Sequence, residues 1–291
     1  MKNIMLTVLA VLLSCTLTGC AAGAGSSTDE NAENQSAGES AAEEKEEEER
    51  TAEDQGSADG KTELTILAAA SLTDVCSELE QLYEEKHPDT ELVFSYGASG
   101  ALQTQIEEGA PADIFFSAAM KQMNALKDEG LMVDESITEL LENKIVLVVP
   151  KGADSRISAF EDIATDKVRM VGLGEPESVP AGQYAEQVFD SLGIKEAAKE
   201  KANYGSDVRT VLSWVEEQTV DCGVVYATDA YGSEKAEIAA EAPEGSCEKV
   251  IYPVGIVAAS EDPEAAKGLI SFLSSDEALS VFESYGFSKA E

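Results

Sequence analysis

The chain has 291 residues and a formal net charge of -37, from 57 Asp and Glu against 20 Lys and Arg, with a single histidine. That balance excludes nucleic acid as a partner, since phosphate backbones are held by clustered Lys and Arg. The 5 cysteines show no C-x-x-C spacing, so neither a zinc site nor a disulfide framework is legible.

The chain opens with Lys2 and an apolar run over 4–17, too short and wrongly flanked for a membrane span, which predicts an export signal. The run ends in Leu17-Thr18-Gly19-Cys20, which resembles the bacterial lipobox. That resemblance implies that 1–19 are a lipoprotein signal peptide and that Cys20 is the first mature residue, lipid-modified and membrane-attached. From 20 to 61 the chain turns to Ser, Gly, Ala, Asn and Gln around the acidic run "EEKEEEER". Such a segment cannot bury a core and reads as a disordered acidic tether. A flexible tail of roughly 40 residues has an r.m.s. reach of about 35 Å, enough to hold a folded body off a membrane.

Beyond residue 62, short apolar runs alternate with amphipathic segments. "ELTILAAA", "ELVFSYGA", "DIFFSAA", "KIVLVVP", "VRMVGLG", "VDCGVVYA" and "KVIYPVGIVAAS" predict strands. Between them, "SLTDVCSELEQLYEEKHP", "SGALQTQIEEG" and the stretches 180–192, 207–218, 263–273 and 276–285 predict helices. The alternation predicts an α/β protein with parallel sheets covered by helices, and a body of about 230 residues suits two lobes better than one very wide sheet. Cys222 falls in a core strand and Cys76 on a helix; a bridge from either to Cys247 stays open on sequence alone.

In open α/β sheets, ligands sit where strands end and helices begin. "AAASLTD" offers Ser71 or Thr73 as a helix cap, and "YGASGALQ" offers Ser99, with Gly97 and Gly100 letting backbone come close to a ligand. In "EPESVPAGQYAEQVF", Pro180 begins a helix whose Ala181 and Gly182 amides are bare. In "GSDVRTVLSWVEE", Asp207 caps a helix that offers the amides of Val208 and Arg209, and Tyr226 adds a phenolic O–H at the end of "VDCGVVYA". All of these donors lack formal charge, which is how a helix N-terminus binds an oxyanion.

Catalytic readings fare worse. Ser99 stands in Gly97-Ala98-Ser99-Gly100-Ala101 and not in G-x-S-x-G, while the lone His87 lies near a helix end in "EKHPD". A serine hydrolase built on Ser99 would therefore lack both elbow and base. Gly172-Leu173-Gly174 is followed by Glu177 where a dinucleotide loop needs its third glycine.

At the same junctions the chain resembles the molybdate-binding proteins of ABC importers. The matching stretches are "LAAASLTD", "SYGASGALQTQIEEGAPADIFFSA", "VGLGEPESVPAGQYAEQ", "DVRTVLSWVE", "VDCGVVYATDA", "YPVGIVAAS" and "FESYGF", spread over 62–287. The resemblance implies a type II periplasmic-binding-protein fold: two lobes, each a sheet flanked by helices, with a hinge of crossing strands. Residues 62–148 and 253–291 would form one lobe and 149–252 the other. It also implies a ligand set of Ser71, Ser99, Ala181, Val208 and Tyr226, which would hold molybdenum as its oxyanion molybdate, or the similar oxyanion tungstate. The implied partners are an ABC permease and, through Cys20, the outer face of the cytoplasmic membrane. The implied protein is a monomer with no catalytic residue and no cofactor. Two features depart from the family pattern away from that ligand set: Glu175 where Asp is frequent, and Ser117-Ala118-Ala119 in place of "SAD".

The anion's chemistry suits a cage of donors alone. Molybdate is fully deprotonated at neutral pH, so its oxygens only accept hydrogen bonds, whereas phosphate keeps a proton and needs an acceptor. Sulfate is the alternative ligand, to be distinguished by size because metal–oxo bonds are longer than sulfur–oxygen bonds. Repulsion from the net charge is screened within about 8 Å at physiological salt.

Overall fold

The computed structural model describes residues 61–153 and 156–291, all within the compact unit Asp54–Glu291. The predicted signal peptide, Cys20 and, apart from Lys61, the acidic tether lie outside the described residues. In chain order the elements are β1 (Thr62–Ala69), α1 (Thr73–Lys86), β2 (Thr90–Gly97), α2 (Ser99–Glu107), β3 (Ile114–Phe116), α3 (Met120–Asp128), β4 (Thr138–Asn143) and β5 (Ile145–Pro150). There follow β6 (Val171–Gly174), α4 (Pro180–Leu192), α5 (Lys195–Lys201), β7 (Ala202–Gly205), α6 (Val208–Glu216), β8 (Cys222–Tyr226), α7 (Ala227–Tyr231) and β9 (Ala236–Glu241). The chain ends with β10 (Val250–Ile256), α8 (Pro263–Leu273), α9 (Asp276–Ser284) and β11 (Ser288–Lys289).

Two sheets result, one in the order β11-β4-β10-β3-β1-β2 and one in the order β7-β6-β8-β5-β9. Neither is parallel throughout, which corrects the expectation from the alternating pattern. β1 runs parallel to β2 and β3, but β10 is antiparallel to β3 and β4. In the other sheet β6 is parallel to β7 and β8, while β5 is antiparallel to β8 and β9. β5 and β10 enter straight from the other lobe, without the crossover helix that parallel pairing requires.

These two entries form the hinge. The chain leaves the first sheet at Lys144, between β4 and β5, and not after Val148, because the whole of β5 pairs with β8 and β9. It returns between β9 and β10, so Tyr252 already belongs to the first sheet. Every residue of β5 and β10 is buried, which explains why their apolar runs hid the boundary: a strand covered on both faces shows no alternation.

Aromatic rings tie the hinge together. Tyr226 meets Tyr252 edge-on with centroids 5.5 Å apart, Tyr252 meets Phe287 at 5.3 Å, and Phe287 meets Phe282 at 5.9 Å. Each such contact adds about 0.5–1.5 kcal/mol beyond the area it buries. Cys76 and Cys222 are buried and Cys247 is half-buried, all three as free thiols. Burial pushes the Cys222 thiol up to about 12, so it stays protonated and inert.

Candidate functional site

The register of β1 with β2 places Ala69 opposite Gly97, so the chain leaving each strand enters a helix at the same edge of the sheet. That edge faces the starts of α4 and α6 and the end of β8. Ser71, Ser99, Val208 and Tyr226 meet there in one cavity of about 10 Å³, together with Ala118, Val179, Pro180 and Asp207. Space of that size, of the order of one water-sized sphere, shows the two lobes closed down tightly on each other at this point.

Ala181 does not line this cavity, contrary to the expected set; Val179 and Pro180 stand there instead. The first turn of α4 is pressed onto β6, where a β-carbon on Gly182 would lie 2.1 Å from the Gly174 carbonyl oxygen. That draws the completely buried Ala181 into the lobe. The Gly182 amide is not bare either, since it donates to the Val179 carbonyl at 3.0 Å.

Neither expected serine cap forms. A 3-10 turn over Ala70–Leu72 precedes α1, which begins without a side-chain cap, and Ser99 is the first residue of α2, whose N-cap is Ala98. α4 is likewise uncapped, while Asp207 does cap α6 as predicted, accepting from the Thr210 amide at 2.8 Å. Helix starts without capping side chains leave first-turn N–H groups to be met from elsewhere, by water or by a ligand.

The two serines are instead held by hydrogen bonds to neighbours. Ser99 Oγ accepts from the Ala118 amide at 3.0 Å, which leaves its own proton for the cavity. Ser71 Oγ lies 2.9 Å from the Tyr252 hydroxyl. Asn143 Oδ1 accepts from the Lys144 amide at 2.8 Å, so its Nδ2 faces the other way and donates to Tyr252 at 3.3 Å and to Thr228 at 2.9 Å. Tyr252 thus accepts from Asn143 and shares a hydrogen bond with Ser71 in which either hydroxyl can donate.

Tyr226 completes the wall. Its hydroxyl is buried and finds no partner in good hydrogen-bond geometry among the described residues. A buried hydroxyl without an acceptor carries a desolvation cost that a bound oxygen would relieve. Burial also holds the Tyr226 phenol well above its ordinary range, so it remains a donor.

Among the described residues, no Lys or Arg lines the cavity. The Arg209 guanidinium reaches past it to Asp74 on α1. Asp229 lies behind Tyr226, accepting from the Tyr226 amide at 3.1 Å, with its carboxyl pushed up to about 7, mainly by burial. Ser99 has no bond to any base among the described residues, and His87 stands at the far end of α1, exposed and stacked on Tyr83. With 14 residues in α1, that end is about 20 Å from the cleft. A nucleophilic Ser99 therefore has no partner here.

Sequence reasoning missed Tyr252, Asn143 and Ala118, which orient the serines, and Asp229. Asp229 alone carried a local signal, an acidic residue at the third helical position after Tyr226.

Two lobes joined by crossing strands, with neutral donors converging between them, define a solute-binding protein. Residues 64–288 match the model of the bacterial extracellular solute-binding proteins, and the chain belongs to that family. YvgL of Bacillus subtilis, provisionally named an ABC transporter substrate-binding lipoprotein, is 45% identical over 238 residues, covering 81% of this chain and 91% of that protein. The molybdate-binding protein ModA of Haemophilus influenzae is 38% identical over 229 residues, covering 78% of this chain and 90% of its own. The periplasmic molybdate-binding protein of Azotobacter vinelandii shares the fold, with a TM-score of 0.70 at 21% identity, over 78% of this chain and all of that one.

Proposed function

We propose that this protein captures molybdate between its lobes and delivers it to an ABC permease, held to the outer face of the cytoplasmic membrane by a lipid on Cys20. The supporting observation is the set of three hydroxyls, those of Ser71, Ser99 and Tyr226, that line one small cavity with no cation among the described lining residues. The amides at the starts of α4 and α6, from Ala181 and Val208, supply further donors. For Ala181 this requires a slight shift of the first turn, since the residue now lies off the wall.

Such a cage fits an anion whose oxygens all accept. Hydrogen bonds to a charged partner contribute roughly 1.5–3 kcal/mol each, so a handful, less the costs of association, supports micromolar or tighter binding. Tungstate, of nearly equal size and charge, should bind as molybdate does. Closure over the anion would present one surface built from both lobes to the permease. The protein would work as a monomer, without cofactor or chemical step.

Calorimetric titration of the soluble body with molybdate, tungstate and sulfate tests the reading. Micromolar or tighter molybdate binding, weakened by Ser71→Ala together with Ser99→Ala, is expected. Binding of sulfate alone, or affinity untouched by the double substitution, would overturn it.

A further inference from the structure

We infer that Gly100 is a positioning residue for lobe closure: the absence of a side chain there lets the lobes meet over the cage. The inference rests on the binding role proposed above.

Gly100 is the second residue of α2 in one lobe, and Ser178 precedes α4 in the other. The Gly100 amide donates to the Ser178 carbonyl at 2.9 Å, a backbone bond that crosses the cleft. A β-carbon on residue 100 would lie 2.6 Å from the Ser178 carbonyl oxygen and 2.7 Å from its Cα. Both obstacles are backbone, so neither can swing aside as a side chain would. The loop that carries Ser178 is itself tied down. The amides of Ser178 and Val179 donate to the Glu175 carbonyl at 3.1 and 2.7 Å, and the Glu175 amide donates to Gly205 in β7 at 2.9 Å. To retreat from a methyl group, the loop would have to give up its own lobe's bonds.

The contact sits one residue from the cage on each side, since Ser99 and Val179 both line the cavity. A wedge here would hold the donors of one lobe away from an anion seated on the other. Glycine is not required by the local backbone, because Gly100 is helical and absent from the glycines with positive φ. Inside a helix it is a poorer choice than alanine. Its advantage therefore exists only when the lobes are together.

The test compares Gly100→Ala with Gly268→Ala, a control in mid-α8 where the nearest atom to a new β-carbon is Tyr83 Oη at 3.6 Å, an ordinary contact. Three quantities are measured: the melting midpoint without ligand, the calorimetric Kd for molybdate, and the contraction on adding molybdate by small-angle scattering. For Gly100→Ala the expectation is a ligand-free midpoint equal to or above wild type, a Kd weakened about tenfold or more, and a smaller contraction. Gly268→Ala should bind as wild type does. Wild-type affinity and contraction in Gly100→Ala would overturn the inference, and so would a lowered ligand-free midpoint, which would put Gly100 in its own lobe's packing. If wild type takes sulfate and not molybdate, the ligand assignment fails while the same comparison, run with sulfate, still decides the role of Gly100.

Discussion

Arg209 on α6 grips Asp74 on α1 with two parallel hydrogen bonds, Nη1 to Oδ2 at 2.6 Å and Nη2 to Oδ1 at 3.0 Å. The pair spans the cleft beside the cavity, so this cation is engaged with a carboxylate of the opposite lobe. Two roles for Arg209 follow, attraction of the anion or clamping of the lobes, and they predict opposite effects of removing Asp74.

As a clamp, the pair is modest. Its side chains are 38 and 54% exposed, and ion pairs that wet contribute about 0–1 kcal/mol. Asp74→Ala and Arg209→Ala should each weaken oxyanion binding by up to about fivefold, less in high salt, mainly through faster release. Arg209→Lys should not restore it, since an ammonium cannot make the paired contact. If Asp74→Ala instead tightens binding, Arg209 acts by attraction and the clamp is wrong.

Tyr226→Phe should separate binding from folding. The hydroxyl it removes is buried with no partner in good hydrogen-bond geometry among the described residues, so the ligand-free midpoint should hold or rise, because a desolvated polar group is lost without a well-formed bond being broken. Affinity for molybdate should fall about tenfold or more, the loss of one hydrogen bond to a charged ligand. A lower ligand-free midpoint with unchanged affinity would refute the assignment of this hydroxyl to the cage.

Tyr252→Phe probes the cage at one remove. Tyr252 is completely buried and links Asn143 to Ser71. Without its hydroxyl, Ser71 loses the hydrogen-bond partner that holds it, and Asn143 loses an acceptor. Stability should drop by about 1–3 kcal/mol and molybdate affinity should weaken several-fold, though Tyr252 touches no ligand. Combined with Ser71→Ala, the two effects on affinity should not add, because the second acts through the first; a double-mutant cycle with additive losses would break the link.

Local features of the sequence were enough to bring Ser71, Ser99, Val208 and Tyr226 to one place, because each sits where a strand end meets a helix start and both signals are short-range. The partners that orient them were not legible, since Ser71 and Tyr252 are 181 residues apart and meet only through the sheet order. The strands β4, β7 and β9 escaped notice because polar residues interrupt them, as in the burial pattern of β9, whose sequence is AEIAAE. Gly100 was legible as a point of close backbone approach, but that Ser178 of the other lobe makes such an approach was not. That Ala181 stands off the cavity wall was not legible, because bare amides at a helix start can be read from sequence while the tilt of that turn, set by Gly174 and Gly182 in contact, cannot.

Asp229 should leave a signature in the pH dependence of stability. Burial raises its carboxyl from 3.8 to about 7, with Asp74 and Asp207 pushing the same way and the Tyr226 amide and Arg209 opposing. In that window the folded protein keeps a proton at Asp229 that the unfolded chain has released. Stability therefore falls as pH rises through the window, by at most about 1.4 kcal/mol per pH unit, and falls no further above it. Asp229→Asn removes the titration while an amide oxygen can still accept from the Tyr226 N–H. The stability of the variant relative to wild type should thus be near zero at the acid edge of the window and grow towards neutral pH. Asp162 and Asp221 shift the opposite way, downward, so their contributions change only at more acid pH and are common to both proteins. Urea denaturation of both proteins across the window measures the difference, and a pH-independent difference would show that Asp229 stays ionised in the fold.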